Sequence, residues 1–270
     1  MHIFSLLMLL VLGLSSTCDA KDASAKLAKN EKSGYPCPGK LIKNMDSDEL
    51  EKVIVYAQER NDHELLIQTY NQLINHSQDH VKIKFYKLNL ADFYFKTEEY
   101  AKAAFKYEEF CILYPGSDES EYAQYKLILC TFYLSLSADR DQSDTMKTIN
   151  LTSLFLKRAK DAKFISETET IYKTCRHRLF EHEVLVMDTY LKQKRFTGAQ
   201  KRLEYIQANF QDIPNLDQYM VYLQNIYDIV KDPKTRPFVF KIKLEDALAK
   251  KETKPVEPKD VAKAVSFFVA

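Results

Sequence analysis

Residues 81–115 read VKIKFYKLNLADFYFKTEEYAKAAFKYEEFCILYP, and this stretch decides the fold. Leu90, Ala91 and Tyr94 share one face at helical spacing. Thr97-Glu98-Glu99 interrupts the pattern. Tyr100, Ala103, Tyr107 and Phe110 then form a second apolar stripe, and Pro115 stops it. The unit is a helix, a short turn, a second helix and a stop. Such a hairpin cannot bury its apolar face alone, so it needs neighbours to stack on.

The neighbours are visible on both sides. Leu66, Tyr70 and Leu73 repeat the spacing of Ala103, Tyr107 and Phe110, and Phe196, Ala199, Leu203 and Ile206 repeat that of the whole second stripe. The pattern resembles the tetratricopeptide repeat, a helical hairpin of about 34 residues. It predicts an all-α fold, an α-solenoid of about five tetratricopeptide-like hairpins. Asp46-Ser47-Asp48-Glu49 caps a first helix at 50–60, and 65–76 is its partner. The opening stretch is repeat two. Repeat three comprises helices at 121–136 and 144–160 around the loop 137–143. Repeat four pairs a long helix at 166–194 with 196–210. A fifth unit starts near Asn215. The interval from Tyr107 to Leu203 reads as about three repeats with small indels. Met187 stands where the repeat wants a small residue, so hairpin four is expected to splay, and Leu151 and Arg158 in repeat three also miss the small-residue spacing.

Composition agrees. Five Gly and eight Pro in 270 residues, with no Pro between Pro38 and Pro115 or between Pro115 and Pro214, leave long uninterrupted segments. Strands and their turns need more Gly and Pro than this. The net charge of +1 gives no electrostatic footprint for nucleic acid.

The N-terminus reads as an export signal. Residues 3–14 are apolar apart from Ser5 and Gly13, too short a run to span a bilayer but the length of a signal-peptide core. Leu14-Ser15-Ser16-Thr17-Cys18 resembles a lipobox. The expected boundaries are a signal at 1–17 with Cys18 acylated by palmitate-type chains, or a signal at 1–20 cut after Ala20. Residues 18–45 form a tether, 46–232 the repeat domain, and 233–270 a partly flexible C-terminal helix or tail. The tail ends apolar at 262–270, as a docking segment or a frayed helix.

Catalytic chemistry finds no support. There is no Gly-rich phosphate loop, Gly-x-Ser-x-Gly or His-Glu-x-x-His. His177 and Glu181 share a helix face, but two ligands do not make a metal site, and a charged solvated face is the reading. No cofactor, no metal and no enzymatic activity are expected. Cys111 and Cys130 fall in neighbouring helices, as a disulfide or as two thiols. Cys37 is a free thiol or a disulfide partner.

Two further segments carry a more specific likeness. One is Tyr122-Ala123-Gln124-Tyr125 followed by Asp139-Arg140-Asp141-Gln142-Ser143. The other runs from Leu179-Phe180-Glu181-His182-Glu183-Val184 through Tyr190-Leu191-Lys192 to Arg202-Leu203-Glu204. With the export signal and Cys18, they resemble the BamD (ComL) family of outer-membrane assembly lipoproteins. The resemblance implies a lipid-anchored scaffold on the periplasmic face of the outer membrane. Its partners would be the barrel subunit of the β-barrel assembly machinery, accessory lipoproteins and unfolded outer-membrane proteins. Arg202 matches the family's arginine for the barrel-subunit contact, and its place beside Leu203 predicts that it faces solvent. Asp139, Arg140 and Asp141 match the family's turn and are expected at a partner surface. By the repeat's geometry Leu88, Asp92 and Phe95 are candidates to line a peptide groove. The other class of function is a generic exported tetratricopeptide adaptor for cell-wall or division complexes.

Overall fold

A computed structural model of the chain describes residues 35–233, apart from Pro38. The signal, Cys18, most of the tether and residues 234–270 lie outside the described residues. Among the described residues there are nine α-helices, one short 3-10 turn at Ile42–Asn44, and no strand. The helices are α1 (Ser47–Glu59), α2 (His63–His76), α3 (His80–Lys96), α4 (Tyr100–Leu113), α5 (Ser120–Leu134), α6 (Ser143–Leu156), α7 (Ala162–Lys192), α8 (Phe196–Asn209) and α9 (Leu216–Lys231). The all-α, tetratricopeptide-like reading holds, with helix ends shifted by a few residues. The chain divides between Tyr86 and Lys87, inside α3, into two compact units.

In the first unit α1 opens on a capping box. The Glu49 N–H donates to Asp46 Oδ1 (2.8 Å), and the Asp46 N–H donates to Glu49 Oε2 (3.2 Å). Asp62 caps α2 through the Leu65 N–H (3.0 Å). Leu50, Val53 and Ala57 of α1 are buried, as are Leu66, Tyr70 and Leu73 of α2, and the two helices pack together. Each such leucine contributes about 1.5–3 kcal/mol. The first turns of α3 are tied to α1 at Glu51, which accepts from the Tyr86 hydroxyl (2.6 Å) and pairs with Lys82 (3.1 Å).

The turns show the repeat more plainly than the side chains do. Asn61, Glu98 and Lys194 all have positive φ, and none is glycine. Each sits in the same hydrogen-bonded turn: Asp62 N–H to Ala57 O, Glu99 N–H to Tyr94 O and Arg195 N–H to Tyr190 O span five residues, with a three-residue bond nested inside each. This is a Schellman end whose left-handed residue costs roughly 1–2 kcal/mol without glycine. Hairpins one, two and four therefore share one backbone device. Hairpin three does not, and its loop is different in kind.

The second unit is organised by α7. This helix has 31 residues, about 46 Å of rise. Ile171 and Cys175 join a core with Tyr125, Ile128, Leu129, Phe132 and Phe155. Phe180, Val184, Met187 and Leu191 join another with Ala199, Leu203, Ile206, Phe210, Leu223 and Tyr227.

Two expectations about register are corrected. The buried face of α6 is Thr145, Thr148, Thr152 and Phe155, so the small residues of repeat three are threonines in a register that does not pass through Leu151 or Arg158. Thr148 and Thr152 satisfy their hydroxyls on the Asp144 carbonyl (2.7 Å) and the Thr148 carbonyl (2.9 Å), so polar residues fill apolar positions. With Thr152 equivalent to Tyr107 and Leu203, the interval between those two is two repeats, each enlarged, rather than three. Met187 is 1% exposed, and hairpin four stays tight at its turn. There a Cβ on Gly198 would lie 3.0 Å from the Tyr190 ring, so the small residue comes from α8.

Candidate partner-binding surface

The hairpin-three loop, 135–142, is built rather than slack. Gln142, 6% exposed, donates from Nε2 to the carbonyls of Ser137 (2.8 Å) and Arg140 (2.9 Å), and its Oε1 accepts from Thr145 (3.0 Å). Two side chains of α7 reach across to hold it. Arg178 donates to the Ser135 hydroxyl, and His182 Nδ1–H donates to the Ala138 carbonyl (2.7 Å). Asp139, Arg140 and Asp141 are all exposed at its tip. Ser137 donates to Asp139 (2.5 Å), and this bond first, then its own backbone N–H, holds the Asp139 pKa below the usual carboxylate value. Asp141 accepts from the Ser143 N–H (3.2 Å) and hydroxyl (3.0 Å). Both carboxylates thus shape the turn. The Arg140 side chain has no hydrogen-bonded or ion-paired partner among the described residues, and it stands out as a presented cation. Sequence reasoning missed the anchors Arg178 and His182, because their targets lie one hairpin away.

Arg202 is not the freely solvated arginine expected. Its Nη1 donates to Glu183 Oε2 (2.9 Å), with the arginine side chain 36% and the glutamate side chain 10% exposed. Burial works against the guanidinium charge, but the Glu183 carboxylate and the Tyr190 hydroxyl outweigh it, so its pKa is raised. The Tyr190 ring lies under the Arg195 guanidinium (4.9 Å to its centroid) and against Gly198. Arg202 therefore locks α8 to α7 and leaves about a third of its surface for a partner.

The three groove candidates on α3 are differently placed. The Asp92 carboxylate accepts from the hydroxyls of Tyr107 (2.5 Å) and Tyr122 (2.8 Å), which ties α4 and α5 to α3. The Phe95 ring packs on Tyr100 (5.6 Å) and Tyr133 (6.1 Å), with the Lys126 ammonium 4.0 Å above it. Both side chains are spent within the fold, while Leu88 is half-buried. The apolar side chains open to a ligand stand elsewhere. Val81 and Phe85 of α3 and Val55 of α1, in the first unit, are each more than half exposed. The spacing 81, 85, 88 runs along one stripe of α3, which is the signal that would have found them.

Cys37, Cys111, Cys130 and Cys175 are free thiols. Burial pushes Cys111 up to about 11 and Cys130 and Cys175 up to about 12, so they stay protonated and unreactive at neutral pH. His177 and Glu181 approach to 3.3 Å. Among the described residues no group of three or more His, Cys, Asp or Glu is placed to hold a metal, and no helix is long and apolar enough to cross a membrane.

No curated protein matched the chain. A family model, YfiO, described as outer membrane lipoprotein, matches residues 49–235, which is well over half of the sequence and takes in every helix from the first turn of α1 to the end of α9. This chain belongs to the YfiO family of outer membrane lipoproteins.

Proposed function

We propose that this chain is a non-enzymatic scaffold of the machinery that assembles β-barrel proteins in the outer membrane, tethered to the periplasmic face through an acylated Cys18. The observation that carries the reading is the family match across the whole helical array. The chemistry of the surface fits it. The periplasmic domains of the barrel subunit would dock on the exposed third of Arg202 and on Arg140 at the tip of the braced loop. Asp139 and Asp141 hold that tip in shape, and accessory lipoproteins would share the face. Unfolded clients would lie along Val55, Val81 and Phe85 of the first unit, where apolar surface is exposed on first helices. The role needs no cofactor, since holding an unfolded chain in place is a matter of shape and apolar area.

The test is affinity capture from detergent-solubilised envelopes. A large β-barrel protein should co-purify, and Arg140→Glu should reduce its recovery without changing the melting temperature. Capture of cell-wall or division proteins with no barrel protein would replace this reading with that of a general envelope adaptor. Separately, Cys18→Ala should move the protein out of the membrane fraction, and unchanged fractionation would remove the anchor from the account.

A further inference from the structure

The outer faces of α4 and α6 carry an arrangement that the scaffold role does not use. On α6, Met146, Lys147, Asn150 and Leu154 fall on one side, opposite the buried threonines, and Lys157 and Arg158 follow its last turn. Met146 is 53% and Leu154 54% exposed. Lys147 pairs with Glu108 of α4 (3.5 Å), which sets the two outer faces side by side. On α4 the same side presents Phe105 (64% exposed) and Ile112 (74%). Four large apolar side chains thus stand in water on adjoining helices.

Three cations stand beside them. Lys157, Arg158 and Lys160 are exposed at the end of α6, and none has an ion-pair partner among the described residues. Lys157 and Arg158 suit the C-terminal end of α6. The loop into α7 is held on the backbone side: Asp161 caps α7 through the Lys163 N–H (2.9 Å), and Glu121 accepts from the Lys160 and Asp161 N–H groups (2.9 and 2.8 Å), so the cations at 157, 158 and 160 are left to face outward. Exposed positive charge next to apolar side chains kept in water matches an interfacial surface that meets phosphate headgroups and slips side chains between them.

We infer that the outer face of α4 and α6, with the basic 157–160 loop, is a seat for an anionic phospholipid surface. The outer membrane supplies such a surface beside a protein of this family. The seat orients the helical array on the leaflet, whereas an acyl chain alone would leave it free to swing. The inference does not rest on acylation of Cys18 or on a barrel partner.

The experiment uses the full chain carrying Cys18→Ala, sedimented with vesicles of phosphatidylcholine alone or of phosphatidylcholine with about one third phosphatidylglycerol. Binding should favour the anionic vesicles and weaken as salt is raised. Lys157→Glu/Arg158→Glu/Lys160→Glu should lower that binding by about tenfold or more with an unchanged melting curve. Met146→Ser/Leu154→Ser should lower it several-fold. The tether's lysines are present in every variant, so the differences belong to the seat. Equal binding of the triple variant and the parent would overturn the proposal, as would no preference for anionic vesicles. Loss of a co-purifying acidic protein in the triple variant, with vesicle binding intact, would also overturn it and assign the loop to a protein partner.

Discussion

Replacing Arg202 by alanine probes the fold and the partner surface together. Glu183 lies beside the core residue Val184 with only a tenth of its side chain exposed, and Arg202 is its ion-pair partner at 2.9 Å. Breaking a fully buried pair costs about 3–5 kcal/mol, because one charge is left dry and alone. Arg202 is 36% exposed, so water reaches the pair and the cost falls to about 1–3 kcal/mol. For a chain of this size that lowers the melting temperature by about 2–10 °C. Changing Glu183 to glutamine in the same chain removes the stranded charge and should recover at least half of the loss. Thermal unfolding followed by circular dichroism reads both numbers. An Arg202→Ala protein that melts with the parent would refute the pairing, and failure of Glu183→Gln to rescue it would refute the stranded-charge explanation. The double variant also separates roles. If capture of a barrel partner stays low after stability returns, Arg202 touches the partner. If capture returns as well, Arg202 only braces α8.

Three other substitutions follow from single contacts. Thr168 is buried with no partner for its hydroxyl among the described residues, so Thr168→Val should raise stability by about 1 kcal/mol in urea unfolding, and a loss would reveal a bond to that oxygen. Asp212 is held by Arg176 in a two-point contact (2.8 and 2.6 Å), which depresses its pKa. A depressed carboxylate stabilises the fold above its unfolded pKa and loses that effect as pH falls through its folded one. The deficit of Asp212→Asn, about 1 kcal/mol at this half-exposed site, should therefore be full above about pH 4 and close on acidification. A deficit unchanged by acid would contradict the ion pair. Ala103 is fully buried in α4, so Ala103→Glu should cost several kcal/mol and unfold the second unit by circular dichroism, while a folded variant would mean that α4 packs on another face.

The hairpins were legible where apolar spacing and cap chemistry agreed. Asp46 and Asp62 announced helix starts, and Tyr100 to Phe110 announced a buried face. α6 escaped the register because its buried positions are threonines, whose hydroxyls bond back to their own helix, so a search for apolar period passes over them. The site was less legible for a different reason. A helix pattern says which face a residue occupies and nothing about what faces it. Arg202 meets Glu183 on the preceding helix, His182 meets a carbonyl one hairpin away, and Asp92 is taken by tyrosines of two other helices. Each pairing is set by packing between elements, which no single-helix period encodes. The exposed stripe of Val81 and Phe85 was within reach of the same period that picked Leu88.

The central claim is that the braced loop of hairpin three presents Arg140 to a barrel-assembly partner. Its most direct test is a photo-crosslinking residue placed at position 140, with a second at the exposed Asn225 of α9 for comparison, in cells that make the protein at its normal level. Position 140 should give an adduct with a large β-barrel protein, much stronger than from 225. No adduct with such a protein from 140, or adducts only with cell-wall or division proteins, would contradict it.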